Sequence, residues 1–215
     1  AFRKRPNIES IERDLTFQNQ AVTEQSVSTN SWSLDRIDTI NLTYDSKYRY
    51  TSNGSGVTAY IVDTGINSTH VDFTGRVLPG YSAIKGSRST EDCNGHGTHV
   101  AGSVGGSTYG VAKQVKLVPI RVLGCSGSGS TSGIVAGLDW VLKQTSPINP
   151  QKVVNMSLGG GVSSILDSAV AKLTNAGISV VVAAGNSKAN ACNYSPARAP
   201  SAITVAASED RKSTR

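Results

Sequence analysis

Residues 57–65 read VTAYIVDTG, six residues of largely β-forming character followed by aspartate, threonine and glycine. A run this continuously apolar suits a strand covered on both faces, as in a parallel sheet. The theme recurs in KLVPIRVL, KVVNMSL, ISVVVAA and AITVAA. Helical periodicity fills the intervals. Thr98 to Val104 is short, rich in small residues and preceded by glycines. Ser132 to Lys143 places Val135, Leu138 and Leu142 on one stripe, with Ser132 as its cap. Ser164 to Ala176 places Ile165, Ala169 and Leu173 on one face, and Gly177 suits the C-terminal cap. Strands alternating with helices predict an α/β doubly wound fold, a mainly parallel sheet with helices on both faces. Ligands of such sheets bind at the carboxyl ends of strands, so residues that follow the apolar runs carry the functional reading.

The 215 residues, 38% hydrophobic and 17% charged, suit a globular protein with one large core. No apolar run approaches the ~18 residues of a membrane span. The opening residues AFRKRPNIESIERD are polar and charged and read as containing no signal peptide. The net charge of +6 is dispersed and not interleaved with aromatics, which argues against nucleic-acid binding. Cys93, Cys125 and Cys192 form no CxxC motif, against a zinc or thioredoxin-like site. Their odd number leaves a free thiol, an intermolecular bridge or a partner elsewhere. Sequons begin at Asn41, Asn53, Asn67, Asn155 and Asn193, compatible with secretion. NIESIERDLTFQNQ is charged and lacks glycine, and AVTEQSVSTNS reads as a linker, with compact structure resuming near Trp32.

Three strand ends carry chemistry. Asp63 closes VTAYIV, where a carboxylate can hold an imidazole in one tautomer; the alternative is a turn aspartate bound to local amides. His96, in NGHGTHVAG, is of the residue type used for general-base work at neutral pH. Pairing His96 with His99 around a metal lacks a third ligand, so His99 reads as structural and His70 as a surface or packing residue. Asn186 ends ISVVVAAGN, where a side-chain amide can donate to an oxyanion. DTG as half of an aspartic protease needs a second copy, which is absent, and a dinucleotide fold needs GxGxxG where VDTGI stands.

In order, VDTGI, HGTHVAG, NMSLGGG and AAGN resemble the subtilisin-type serine proteases, whose chain order is Asp, His, then a late Ser. WSLDRID, DCNGHGTHVAG, TYGVAK, GSGSTSGIVAGLDWV, NMSLGGGVSS and AAGNSKANACNYSPA are similar to the proteinase K and aqualysin-like branch. The resemblance implies Asp63 as triad acid, His96 as general base and Asn186 as oxyanion donor. It implies an extended substrate between Gly127, Ser128 and Gly129 on one side and Ser157, Leu158 and Gly159 on the other. Ala183, Ala184 and Gly185 would line the pocket for the residue before the scissile bond. A Cys93–Cys125 disulfide is implied, with Cys192 pairing further along. Val100 stands where proteinase K has a cysteine, which touches no catalytic role.

Calcium is implied as a structural cofactor, at the backbone carbonyls of Pro200 and Ala202 and at a second site formed by Asp35, Asp38 and Asp45. The Gly-Thr-Ser-Met-Ala motif that carries the family's serine does not occur in these 215 residues. With the unpaired Cys192, that leads to the expectation of a peptidase domain incomplete at its C-terminus and inactive by itself. NIESIERDLTF resembles the end of a family propeptide. It gives an expected division into a propeptide remnant and linker, 1–24, and a peptidase domain, 25–215, with processing between Asn19 and Gln25. The expected protein is a secreted, monomeric endopeptidase made as a zymogen. Its partners would be protein or peptide substrates and its own propeptide, not nucleic acid or membrane. The alternative is a truncated, non-catalytic isoform that binds peptides or a partner.

Overall fold

The computed structural model describes residues 21–27, 32–39, 44–144 and 151–207. The chain forms two compact units, residues 1–51 and 52–215. NIESIERDLTF lies outside the described residues, as does part of the processing interval that begins at Asn19.

In the first unit, β1 (Thr23–Ser26) and β2 (Lys47–Tyr50) pair antiparallel, with α1 (Trp32–Ile37) between them in sequence. Val27, Leu34 and Tyr48 form its small core. Part of the stretch expected to be linker is therefore a strand. Its sequence TEQS shows no apolar alternation; the ladder gains instead from Glu24, which meets Lys47 at 2.7 Å and Arg49 at 3.0 Å across the pair.

The second unit carries β3 (Val57–Asp63), β4 (Tyr81–Ser82), α2 (His96–Gly105), β5 (Lys116–Arg121), α3 (Thr131–Lys143), β6 (Gln151–Met156), α4 (Ser164–Asn175), β7 (Ser179–Ala183) and β8 (Ile203–Val205). Six strands join in the order β4-β5-β3-β6-β7-β8, every pair parallel. Alternation along β3 sorts the core into two faces. Tyr60 and Val62 pack with Leu138 and Val141 of α3 and with Leu166, Val170 and Leu173 of α4. Ala59 and Ile61 pack with Ala101 of α2, Phe73, Val115 and Leu117. Helices thus cover both faces, as the apolar runs predict.

Some details differ. In α3 the buried stripe is Ile134, Leu138 and Val141, while Val135 and Leu142 are half-buried at its margins. The cap is Ser130, not Ser132: its hydroxyl accepts the Gly133 N–H at 3.1 Å, which starts the helix one residue earlier. In α4, Leu166, Ala169, Val170 and Leu173 face inward at the full helical spacing, and Ile165 is 67% exposed. Gly177 has φ of 80° just beyond α4, a backbone state in which a side chain is strained. In β8, Ile203 and Val205 are more than half exposed, because this strand is the last in the sheet order.

The chain leaves β3 for β5 on one side and later adds β6 on the other. This is the reversal of strand order at which open α/β sheets form a crevice beyond the strand ends. Asp63 stands at that point.

Candidate active site

Asp63 ends β3 with no exposed surface. Its backbone carbonyl accepts the N–H groups of Val122 and Leu123, at 2.9 and 3.2 Å. Its Oδ1 accepts the Thr64 N–H at 2.7 Å and lies 2.7 Å from His96 Nδ1. An ionised carboxylate only accepts, so Nδ1 carries the hydrogen and Nε2 is left as the free acceptor of a neutral imidazole. His96 is the first residue of α2, its side chain half exposed. A fixed acceptor nitrogen at the mouth of a crevice is what a general base requires.

Asp92 is bonded to residues beside both members of this pair, and neither spacing nor periodicity points to it. Its Oδ1 accepts the Thr64 hydroxyl at 2.8 Å and the Asn94 and Gly95 N–H groups, both at 2.9 Å. Its Oδ2 accepts the Thr98 N–H at 2.9 Å and the Thr98 hydroxyl at 2.6 Å. Gly95 is the N-cap of α2 and has no side chain to cap it, so Asp92 accepts the Gly95 and Thr98 N–H groups, while Asn94 Oδ1 takes that of His96 and Thr64 Oγ1 that of Gly97. Burial works to raise the Asp92 carboxyl, and the donors from Gly95, Thr98 and Asn94 overcome it, holding it at about 2 against an ordinary 3.8. Folding therefore gains from Asp92 fully above the ordinary carboxylate range and loses that gain as pH falls toward 2. Unfolding by denaturant from pH 5 to pH 2 should show Asp92→Asn less stable than the parent at pH 5, with the gap closing toward pH 2. A gap independent of pH would contradict this.

The glycines of DTG and HGTH are set by contact. A Cβ on Gly97 would stand 2.2 Å from the Gly65 carbonyl oxygen, and one on Gly65 would stand 2.5 Å from the Thr90 carbonyl oxygen, at φ of 112°. The first turn of α2 thus rests on the turn after β3. The Gly97 N–H donates to Thr64 Oγ1 at 2.9 Å, one residue along from the acid–base pair.

A cavity of about 520 Å³ joins His96 to Gly127, Ser128 and Gly129 on one wall and Ser157, Leu158 and Gly159 on another. A second, of about 370 Å³, shares the Ser157–Gly159 wall and continues to Ala183, Ala184, Gly185 and Asn186. Gly160 pairs with Ser195, N–H to carbonyl in both directions at 2.9 and 3.2 Å, which fixes the shared wall. Asn186 is exposed beyond β7. The structure therefore places His96, the substrate-wall residues and Asn186 along two cavities that share the Ser157–Gly159 wall, with Asp63 buried behind His96. Cys93 and Cys125 are disulfide-bonded, and Cys192 is free and exposed. The bridged loop contributes about 3–4 kcal/mol on a chain-entropy estimate. Arg121 donates to Cys93 Sγ at 3.1 Å, and Asn94 Nδ2 donates to the Cys125 carbonyl at 2.9 Å.

Pro200 and Ala202 sit in the turn before β8. In the first unit, Asp35 accepts the Asp45 N–H at Oδ1 and the Ser46 N–H at Oδ2, and Asp45 pairs with Arg49 at 2.6 Å. Asp38 accepts the Arg49 N–H with Oδ2, and its Oδ1 is buried without a hydrogen-bond partner among the described residues. That open oxygen fits a cation, although no group of three or more His, Cys, Asp or Glu is gathered around a common point among the described residues. His70 accepts the Asp72 N–H at 3.2 Å and packs on Phe73; His99 is exposed on α2. No helix among the described residues is long and apolar enough to cross a membrane.

An extracellular serine proteinase of Thermus sp. (strain Rt41A) is 55% identical over 206 residues, covering 96% of this chain and 48% of its own length. Alkaline serine exoprotease A of Vibrio alginolyticus is 52% identical, covering 95% of this chain and 38% of its own. The solved structure of a cold-adapted subtilisin-like serine proteinase matches with a TM-score of 0.77 and 55% identity, over 80% of this chain and 62% of that one. The chain thus spans about half the length, or less, of these curated relatives. The model of the subtilase family matches residues 54–215, the whole of the region that builds the crevice. On that match and this geometry, the chain belongs to the subtilase family of subtilisin-like serine proteases.

Proposed function

We propose that these residues form the acid–base and substrate-binding part of a secreted serine endopeptidase. The observation that carries the reading is the 2.7 Å contact between buried Asp63 and His96 beside a cavity that shares its Ser157–Gly159 wall with the one lined by Asn186. A peptide would lie extended between Gly127–Gly129 and Ser157–Gly159, paired through backbone groups. The side chain before the scissile bond would enter the cavity at Ala183, Ala184 and Gly185. His96 Nε2 would take the proton of a serine hydroxyl as its oxygen attacks the carbonyl carbon. Asp63 would stabilise the imidazolium so formed, and the Asn186 amide would donate to the oxyanion. His96 then returns the proton to the leaving amine.

No Gly-Thr-Ser-Met-Ala motif occurs in the 215 residues, so the nucleophile belongs outside them in this reading, and the 215 residues alone are inactive. Secretion is supported by the name of the Thermus relative. The propeptide reading rests on NIESIERDLTF, which resembles the end of a family propeptide. Calcium would be held by oxygen ligands that include Asp38 Oδ1, and would supply structural cross-linking rather than chemistry.

The test is the intact mass of the natively produced protein, before and after a fluorophosphonate probe. A mass well above 22.4 kDa with one adduct supports the reading. A mass matching 215 residues with no adduct overturns it in favour of a non-catalytic product. Chelator-sensitive calcium adducts in the same native spectrum decide the metal.

A further inference from the structure

We propose that Asp92 is a positioning residue that, through Thr64, holds the base-bearing helix against the acid-bearing strand. This rests on the catalytic reading of Asp63 and His96 given above.

The argument is one of connectivity. Asp63 and His96 lie 33 residues apart, on a strand end and a helix start, and their direct link is a single hydrogen bond. A hydrogen bond to a half-exposed imidazole is too weak to set the separation of two elements by itself, whereas a second bond beside it makes the pairing geometrically determined. That second link runs one residue beyond each partner. Thr64 follows Asp63, Gly97 follows His96, and the Thr64 hydroxyl accepts from the Gly97 N–H. The hydroxyl has one hydrogen, and it goes to Asp92 Oδ1. The carboxylate thereby orients the hydroxyl so that its lone pairs face Gly97. The same carboxylate gathers the N–H groups of Asn94, Gly95 and Thr98, fixing the turn on which His96 stands. Asp92 is thus bonded to both sides of the acid–base pair without touching either member.

An amide in place of the carboxylate cannot reproduce this. Asp92→Asn would keep one oxygen acceptor and replace the other by a donor, facing N–H and O–H groups that already donate. Thr64→Val removes the hydroxyl and keeps the shape, while Thr64→Ser keeps the hydroxyl and removes the methyl. A purely structural role would make loss of activity follow loss of folded protein. A positioning role separates them.

The experiment uses the full-length protein with Asp92→Asn, Thr64→Val and Thr64→Ser. It reads kcat, KM, Tm and the low-field proton resonance of His96 Nδ1–H. For Asp92→Asn and Thr64→Val, we expect kcat lower by about 10–10²-fold, KM within about threefold, and the low-field resonance shifted or lost while the protein remains folded. Thr64→Ser should recover most of the kcat and the resonance. Folded Asp92→Asn and Thr64→Val proteins with kcat within about twofold of the parent and an unchanged resonance would overturn the proposal, as would Thr64→Ser behaving like Thr64→Val. If Asp92→Asn does not fold, the two Thr64 variants decide by the same criteria. A parent without peptidase activity would sink the catalytic reading instead, and the resonance would still report whether Asp92 sets the Asp63–His96 contact.

Discussion

Asp63→Asn in the full-length protein is expected to lower kcat by about 10⁴-fold and leave the fold at least as stable. The two halves of that expectation have different origins. The carboxylate forces the hydrogen of His96 onto Nδ1, whereas a carboxamide can present its NH₂ and reverse the tautomer, placing a hydrogen where Nε2 must accept one. The folded state, by contrast, keeps this charge with no solvent exposure, and Oδ2 has no hydrogen-bond partner among the described residues. A buried carboxylate with an unsatisfied oxygen opposes folding, so neutralising it relieves a penalty. Steady-state kinetics and thermal unfolding on the same preparation check both parts. A kcat loss below about tenfold, or a fall in Tm in step with activity, would contradict the assignment of Asp63 to chemistry rather than architecture.

The second large effect is on stability. Gly97→Ala should destabilise the protein by about 3 kcal/mol and lower kcat by about 10²-fold. The added carbon would stand 2.2 Å from the Gly65 carbonyl oxygen and 3.1 Å from both Gly65 N and Thr64 Oγ1, atoms of a turn held by Asp92 and Thr90. The helix can relieve that overlap only by lifting off the turn, which takes His96 with it. Gly102 supplies the control on the same helix. A Cβ there meets nothing within 4 Å, so Gly102→Ala should lie within about 1 kcal/mol of neutral, on the stabilising side. Denaturant unfolding of the pair checks this, and equal effects would show that helix propensity, not the close approach, governs the position.

Much of the carboxyl end of the sheet is legible in the sequence because its signals are local. VTAYIVDTG has the apolar run of a strand buried on both faces, and the aspartate falls at the carboxyl end where the topology needs it. Periodicity locates helix α3 but rotates it slightly, because Ile134, Val135, Leu138, Val141 and Leu142 allow two overlapping stripes and only the sheet beneath selects one. The inward placement expected of Ile165 fails for the same reason, with Leu166 beside it offering the better register. Strand β8 resembles its neighbours in sequence, but its exposure depends on its rank in the sheet, which no local pattern encodes. The role of Asp92 is invisible although the residue sits inside DCNGHGTHVAG. It arises from Thr64, 28 residues earlier, and that pairing exists only once β3 and α2 are packed.

The Cys93–Cys125 bridge has a mechanical meaning. Cys93 lies three residues before His96 and Cys125 two before Gly127, so one covalent tie joins the approach to α2 to the Gly127–Gly129 rim of the cavity. With the thiols reduced, the Asn94 hydrogen bond to the Cys125 carbonyl is left to join these two loops. Alignment of base and substrate would then depend on where the protein is. Reduced, the two rims would be held by hydrogen bonds alone, and oxidation would lock them covalently into a common frame. A crevice built this way would be loosely framed while reduced and tightened by oxidation.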